Sequence, residues 1–198
     1  MGDAETLAVY DAKAGDYAAL TDRDRPGIHL SAFIKALPRG GRVLDLGCGP
    51  GQSAADMVAA GLNVEAWDAS PEMARLGREA FGLEVKVRQF EALDADQHFD
   101  GIFANFSLLH APKAEMPDHL SRIAAALKPG GLFHIGMKTG TGEHRDGLGR
   151  FYAYYEDAEL TGLLNTVGLR VTDRAFGNDM GLDGTEAPWI IMRATKHV

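Results

Sequence analysis

Hydrophobic positions in this 198-residue chain fall into short runs separated by stretches of helical spacing, beginning near residue 42. RVLDL (42–46), NVEAW (63–67), VKVRQF (85–90), FDGIFANF (99–106), LFHIGMK (132–138), LRVTDRAF (169–176) and WIIMRAT (189–195) read as seven strands. FDGIFANF is apolar almost throughout, as a strand covered on both faces should be. Helices are predicted over 53–61, stopped by Gly61, and over 71–80, where Ser70 is the N-cap and Pro71 the first helical residue. A third covers 113–127, with Met116, Leu120, Ile123, Ala124 and Leu127 in one stripe, and ends at Pro129-Gly130-Gly131. A fourth covers 156–167, before Gly168. Strand–helix units of this length predict an α/β fold, a mostly parallel sheet with helices on both faces.

Two segments lie outside this rhythm. Residues 4–37 read as two helices, so 1–40 would form an N-terminal helical cap. TGTGEHRDGLGRFYAYY (139–155) reads as one long glycine-rich, polar and aromatic loop. A loop of that length in a compact domain is either a working lid or a solvated segment, and both remain open here. The length suits one domain spanning 1–198.

Composition narrows the classes. Hydrophobic residues make up 45% of the chain, which is globular, and the formal net charge of −8 argues against an extended nucleic-acid surface. Cys48 is the only cysteine, so an internal disulfide is excluded and a reducing compartment is expected. The stretch MGDAETLAVYDAKAGDY lacks the apolar core of a signal peptide, and no segment approaches the roughly 20 apolar residues of a membrane helix. A cytoplasmic protein without membrane or nucleic-acid partners is the expectation.

The first strand runs into glycines at VLDLGCGPG (43–51). Such a turn between a buried strand and a helix lets a ligand approach the backbone. Asp68 ends the next strand about 20 residues later, where a carboxylate can accept both hydroxyls of a ribose. Together they predict a nucleoside-containing ligand. Gly47, Gly49 and Gly51 give G-x-G-x-G rather than the dinucleotide spacing G-x-G-x-x-G, and Gln52-Ser53 lacks the lysine of a phosphate loop. Asp45, two residues before the first glycine, would repel a phosphate and welcome a cation. An adenosine-like, positively charged ligand fits best.

These segments carry a resemblance. VLDLGCGPG, WDASPEM (67–73), FDGIFANFSLLHAP (99–112) and LKPGGLFHIGMK (127–138) together resemble the class I S-adenosyl-L-methionine (SAM)-dependent methyltransferase family, over about residues 7 to 195. The resemblance implies a Rossmann-like seven-stranded sheet whose last strand is antiparallel, and in-line transfer of the SAM methyl to a small-molecule acceptor. It also implies cofactor contacts. Asp45, Gly47, Cys48, Gly49 and Gly51 would line the methionyl end, Asp68 would hold the ribose, and Ala69 and Met73 would border the adenine. Glu91 and Ala92 would meet the adenine edge, in a Glu-Ala pair where the family usually has Asp-Ala. Asn105, Phe106 and Ser107 would face the methyl group and acceptor, and Tyr17 would touch the cofactor.

Other residues have two readings. His110 is placed to act as a general base or to close the pocket, and His134, inside an apolar strand, reads as a buried histidine. Tyr10 and Tyr17 are seven apart and could close over the site from one helix face. Tyr10, Ser107, Arg145, Arg150 and Tyr152 are the candidate acceptor contacts, the last three within a loop stretch that also holds Lys138, Glu143, His144, Tyr154 and Tyr155. No metal-binding spacing is found. A nicotinamide-dependent oxidoreductase and a non-catalytic SAM- or nucleoside-binding module are the competing classes.

Overall fold

The computed structural model describes residues 3–21 and 26–197. A seven-stranded sheet holds β1 (Arg42–Leu46), β2 (Asn63–Asp68), β3 (Val85–Val87), β4 (Phe99–Asn105), β5 (Leu127–Lys138), β8 (Leu169–Met180) and β9 (Glu186–Lys196). Their spatial order is β3-β2-β1-β4-β5-β9-β8. β1 to β5 pair in parallel, and only β9 runs antiparallel to both of its neighbours. The chain leaves β1 toward β2 and β3, then returns to the other side of β1 with β4. That switch point opens a crevice at the carboxyl ends of β1 and β4, where open α/β sheets bind ligands.

Alternation along the strands divides the core. Leu44, Ile102, Phe133 and Ile135 face one side, where α6 (Met116–Ala126) and α7 (Asp157–Thr166) supply Leu120, Ile123, Leu160 and Leu164. Val43 and Phe103 face the other side and meet Leu30 and Phe33 of α3 (Ile28–Ala36) and Met57 of α4 (Gln52–Ala59). Ala54, Ala66, Ala74 and Val85 form a smaller cluster between α4, α5 (Pro71–Phe81) and the β2–β3 edge. At the start of α5 the Ser70 hydroxyl accepts the Met73 N–H at 3.0 Å, as an N-cap serine should.

The strands and most helices lie within a few residues of their predicted places, and four segments differ. The helix expected from Lys113 begins at Met116, after a turn over 112–115, and β5 starts at Leu127, before the Pro-Gly-Gly that was expected to precede it. The third strand stops at Val87 and passes into a short turn at Phe90–Ala92. The N-terminal region forms three helices, α1 (Ala4–Ala12), α2 (Ala14–Thr21) and α3, because α1 ends where Lys13 leaves helical geometry. Tyr10 and Tyr17 therefore sit on two helices, yet their rings still meet edge to face at 5.4 Å.

The fourth difference is the stretch over 139–155, which holds an antiparallel hairpin of β6 (Glu143–Arg145) and β7 (Phe151–Ala153). Asp146 builds its turn, accepting the N–H groups of Leu148 at 3.0 Å and Arg150 at 2.9 Å on one carboxylate oxygen. Tyr152 and Tyr155 are buried in the main core, so this segment is packed structure rather than a solvated loop.

Close packing on β4 depends on Gly101, where an added Cβ would lie 2.8 Å from Phe33 Cζ and 2.9 Å from Leu37 Cδ2. Gly101→Ala should push α3 off the sheet and cost about 1–3 kcal/mol, measured by denaturant unfolding. An unchanged midpoint would show that α3 yields without cost.

Candidate active site

The glycine turn is fastened to the end of β2. Gly47 and Cys48 both donate their N–H groups to the Trp67 carbonyl, at 2.8 and 2.9 Å. Asp68 follows at once, and its two carboxylate oxygens accept the N–H groups of Gly49 at 2.7 Å and Ser70 at 2.9 Å. Loss of hydration raises the Asp68 pKa above the ordinary carboxylate value, against the pull of those N–H donors. Gly47 has φ +76°, and a Cβ there would lie 2.3 Å from Ser107 Cβ. The packing of β4 against the turn thus requires a glycine at that position before any ligand is considered. Ser107 donates its hydroxyl to the Leu46 carbonyl at 2.6 Å and locks the same corner.

Above this corner lies a cleft roofed by α1 and α2. Tyr17, Gly47, Gly49, Asp68, Ala69 and Met73 line it from the turn side, and Glu91, Asn105, Phe106, Ser107, Tyr10 and His110 complete the predicted set. Seven predicted residues lie elsewhere, two of them, Arg150 and Tyr152, in a neighbouring cavity beyond Tyr10 and His110. Asp45 is 2% exposed at the end of β1, beneath the turn. Cys48 packs against the alanine cluster of α4 and α5, and burial next to Asp45 and Asp68 pushes its thiol pKa up, so it stays protonated. Gly51 faces α5, where a Cβ would meet Leu83 Cδ1 at 2.7 Å. Ala92 does not line the cleft. Arg145 points outward from β6 and clasps the Asp3 carboxylate with two N–H groups, at 2.8 and 2.7 Å.

Asp3, Thr6, Leu7, Ser70, Gln89, Phe90, Glu115 and His119 also line the cleft and were not singled out from the sequence. Ser70 had been recognised only as a helix cap. Asp3, Glu91 and Glu115 join Asp68 as its carboxylates, and among the described residues no Lys or Arg lines it. An anionic pyrophosphate has no counter-charge here among the described residues, whereas a cationic or amine-bearing ligand meets a carboxylate-lined wall in which only Asp3 is seen clasped by an arginine. Met73, Phe90 and Ala69 offer apolar contact beside the Asp68 carboxylate, a pairing that fits a purine nucleoside. Glu91, Glu115 and His119 bring ligand atoms within 4.8 Å of one another, and could hold a metal on geometry alone.

His110 sits in a determined hydrogen-bond chain. Its Nδ1 lies 2.7 Å from the Phe151 carbonyl oxygen, which can only accept, so Nδ1 carries the proton. Nε2 then accepts from the Tyr10 hydroxyl at 2.8 Å, and the Tyr10 oxygen accepts from Arg150 Nη1 at 3.2 Å. Desolvation lowers the His110 pKa from its ordinary 6.5 to about 4, keeping the ring neutral. Arg150, only 2% exposed, is neutralised by Asp146 at 2.6 Å. His134, at the back of the sheet, stacks on Phe103 and meets the Asn105 side-chain oxygen at 3.0 Å. Burial lowers its pKa to about 3, as for an enclosed neutral histidine.

The fold and the cleft define a class. The sheet order, the antiparallel last strand and the glycine turn facing an aspartate at the end of the second strand are those of the Rossmann-like class I SAM-dependent methyltransferases, and a family model described as "Methyltransferase domain" matches residues 43–131. Residues 43–131 belong to that family. The chain is 33% identical over 115 residues to a ubiquinone biosynthesis O-methyltransferase of Xanthomonas axonopodis pv. citri, covering 54% of this chain and 46% of that one. It is 36% identical over 118 residues to a trans-aconitate 2-methyltransferase of Mycobacterium sp. (strain KMS), covering 58% and 44%. The chain therefore spans about half the length of these curated relatives. Its fold matches, with a TM-score of 0.76 and 24% identity over 98% of this chain and 88% of the other, the crystal structure of a Burkholderia thailandensis 1,6-didemethyltoxoflavin-N1-methyltransferase. That enzyme holds 1,6-didemethyltoxoflavin and S-adenosylhomocysteine. No helix among the described residues is long and apolar enough to cross a membrane.

Because His110 is neutral when folded and takes up a proton near 6.5 when unfolded, its contribution to stability is full above that pH. That contribution is lost as pH falls from 6.5 through about 4. Urea-unfolding free energies should decline over this window, and His110→Gln should reduce the proton uptake on unfolding by up to one. A variant with the wild-type slope would mean that His110 is already charged in the folded protein.

Proposed function

We propose that the chain is a SAM-dependent methyltransferase acting on a small-molecule acceptor, with its residues 1–198 as one catalytic domain and residues 1–40 as its helical cap. The carrying observation is the Asp68 carboxylate, held toward the cleft by the N–H groups of Gly49 and Ser70 among walls that contain no Lys or Arg among the described residues. Each of its oxygens keeps a lone pair for a ribose hydroxyl. Gly47 and Gly49 would lie along the methionyl end, Ala69, Met73 and Phe90 would enclose the adenine, and Glu91 would accept from its amine. When bound, SAM supplies a methyl group on a cationic sulfur, ready for in-line displacement by an acceptor nucleophile.

The chain's own work is then binding, orientation and exclusion of water, and positioning alone is worth roughly 7–11 kcal/mol of barrier in favourable cases. His110 serves here as a positioning residue. Its Nε2 is occupied by Tyr10, and the pair fixes the tyrosine ring between the cleft and the hairpin. The N-terminal cap, through α1 and α2, is the cover of this cleft, and the 139–155 hairpin is the seat on which α1 rests. A reducing, cytoplasmic setting suits the single half-buried thiol of Cys48.

S-adenosylhomocysteine at about a hundred times its dissociation constant should stabilise the protein by about 2.7 kcal/mol, several degrees in Tm, while NAD⁺ leaves it unchanged. Asp68→Asn should weaken that binding by roughly tenfold or more, since two hydrogen bonds to a charged oxygen are lost or weakened. Titration calorimetry that finds equal affinity in the variant, or no binding to folded wild type, would remove the cofactor assignment.

A further inference from the structure

Beyond the shared wall of Tyr10, Tyr17, Phe106 and His110, a second cavity of about 240 Å³ opens between the 139–155 hairpin and the tip of the β8–β9 hairpin. Aromatic surfaces dominate it, with Tyr152 and Trp189 facing the tyrosines and Phe106. Two cations line it. Arg150 is already matched by Asp146 at 2.6 Å and gives a further N–H to Tyr10. Lys138, the last residue of β5, is different. Its half-buried ammonium lies over the Tyr152 ring at 4.0 Å, and it has no hydrogen-bond or ion-pair partner among the described residues.

Of the nearby carboxylates, Asp146 holds Arg150 and Asp183 is engaged by the Thr185 hydroxyl at 2.8 Å. Asp179 stands exposed at the cavity rim. Asp183 and Asp146 act on the Lys138 ammonium through their charge, but neither gives it a hydrogen bond, so a partly desolvated ammonium over a ring face still has room for a directly bonded anionic oxygen. Trp189 adds a flat aromatic wall to the cavity. Trp189 stands opposite Lys138 in the β5–β9 register, so both side chains leave the sheet on one face. The ring lies against Gly177, where a Cβ would come within 2.2 Å of it. That glycine lets the indole lie flat along the sheet.

We propose that this cavity is the acceptor site and that it takes a flat aromatic molecule bearing an anionic oxygen, a carboxylate or a phenolate, with Lys138 as counter-ion and the rings of Trp189 and Tyr152 as walls. The assignment rests on the methyltransferase function proposed above, because the wall shared with the cleft is what brings such an acceptor beside the methyl donor.

The test uses full-length protein saturated with S-adenosylhomocysteine, whose own binding is measured first. The probes are 4-hydroxybenzoate, indole-3-carboxylate and 2-naphthoate, each against its neutral carboxamide, and ionised 4-nitrophenol against 4-nitroanisole. At least one anion should bind about tenfold or more tightly than its neutral partner, the range expected for a hydrogen bond to a charged group. The pair that responds separates carboxylate from phenolate. Lys138→Met should bring that preference within about twofold while S-adenosylhomocysteine affinity stays at the wild-type value. Lys138→Arg should restore most of the preference. If S-adenosylhomocysteine binds but no anion is preferred, or the preference survives in Lys138→Met, the acceptor assignment is overturned and the cofactor assignment stands. If S-adenosylhomocysteine fails to bind the folded protein, both fall.

Discussion

Two backbone N–H groups converging on one carbonyl oxygen hold this structure to its purpose. Gly47 and Cys48 both donate to Trp67, which joins the turn after β1 to the last residues of β2. Asp68 then closes the ring by accepting from Gly49 and Ser70, so the same few atoms set the turn, the start of α5 and the direction of the carboxylate. Each contribution is modest alone, since a net hydrogen bond stabilises by about 1 kcal/mol. Their convergence matters because no member can shift without breaking another's geometry. Removing Asp68 would therefore cost local structure as well as a ligand contact, which is why the asparagine variant, keeping shape, is the sharper probe of binding.

The roof depends on a second set of contacts with a different character. Asp3 caps α1 by accepting the Thr6 N–H at 2.8 Å and also holds Arg145 on β6. The guanidinium of Arg145 keeps the Asp3 carboxyl well below the usual carboxylate range. Thr6 in turn accepts the Phe151 N–H at 2.8 Å, and Tyr10 joins the His110–Arg150 chain. α1 itself buries only Thr6 among its described side chains, so little hydrophobic area fastens it. The Arg145–Asp3 pair stands near the solvent edge and contributes little by itself, whereas the Thr6–Phe151 bond and the Tyr10–His110–Arg150 chain are enclosed and hold the roof to the hairpin.

The strands were legible because each is an apolar run bounded by glycine, proline or a charged cluster, and the sheet order follows from the connection rules. Asp68 was legible through its distance from the glycines. The hairpin was not, because TGTGEHRDGLGRFYAYY lacks a clean alternation and its turn is built by the Asp146 side chain rather than by a two-residue signal. D-G-L-G, with an aspartate able to accept N–H groups two and four residues on, was the cue. Gly51 and Cys48 look like ligand contacts in the motif but serve packing against α5 and the alanine cluster, a distinction that depends on which way the turn faces. Glu115 and His119 come from a helix start and Glu91 from a turn, so only the fold brings them together.

The same four residues separate two environments of different composition. On one side of Tyr10, Tyr17, Phe106 and His110, the cleft gathers carboxylates and no Lys or Arg among the described residues. On the other side, Lys138 and Arg150 face the cavity. A neutral His110 is what such a wall requires, because a proton on the ring would leave two donors where Tyr10 and Phe151 need one donor and one acceptor. Under the proposed function this wall would stand between the methyl donor and its acceptor. Phe106, within it, follows the last residue of β4 and is held at φ +57°. A non-glycine residue in that left-handed region costs roughly 1–3 kcal/mol and persists only where its surroundings over-determine it. Here the Phe106 N–H is fixed to the Gly136 carbonyl at 3.0 Å and its ring meets Trp189. The strained residue therefore links the cleft to the indole that lines the second cavity, and the two share one piece of backbone.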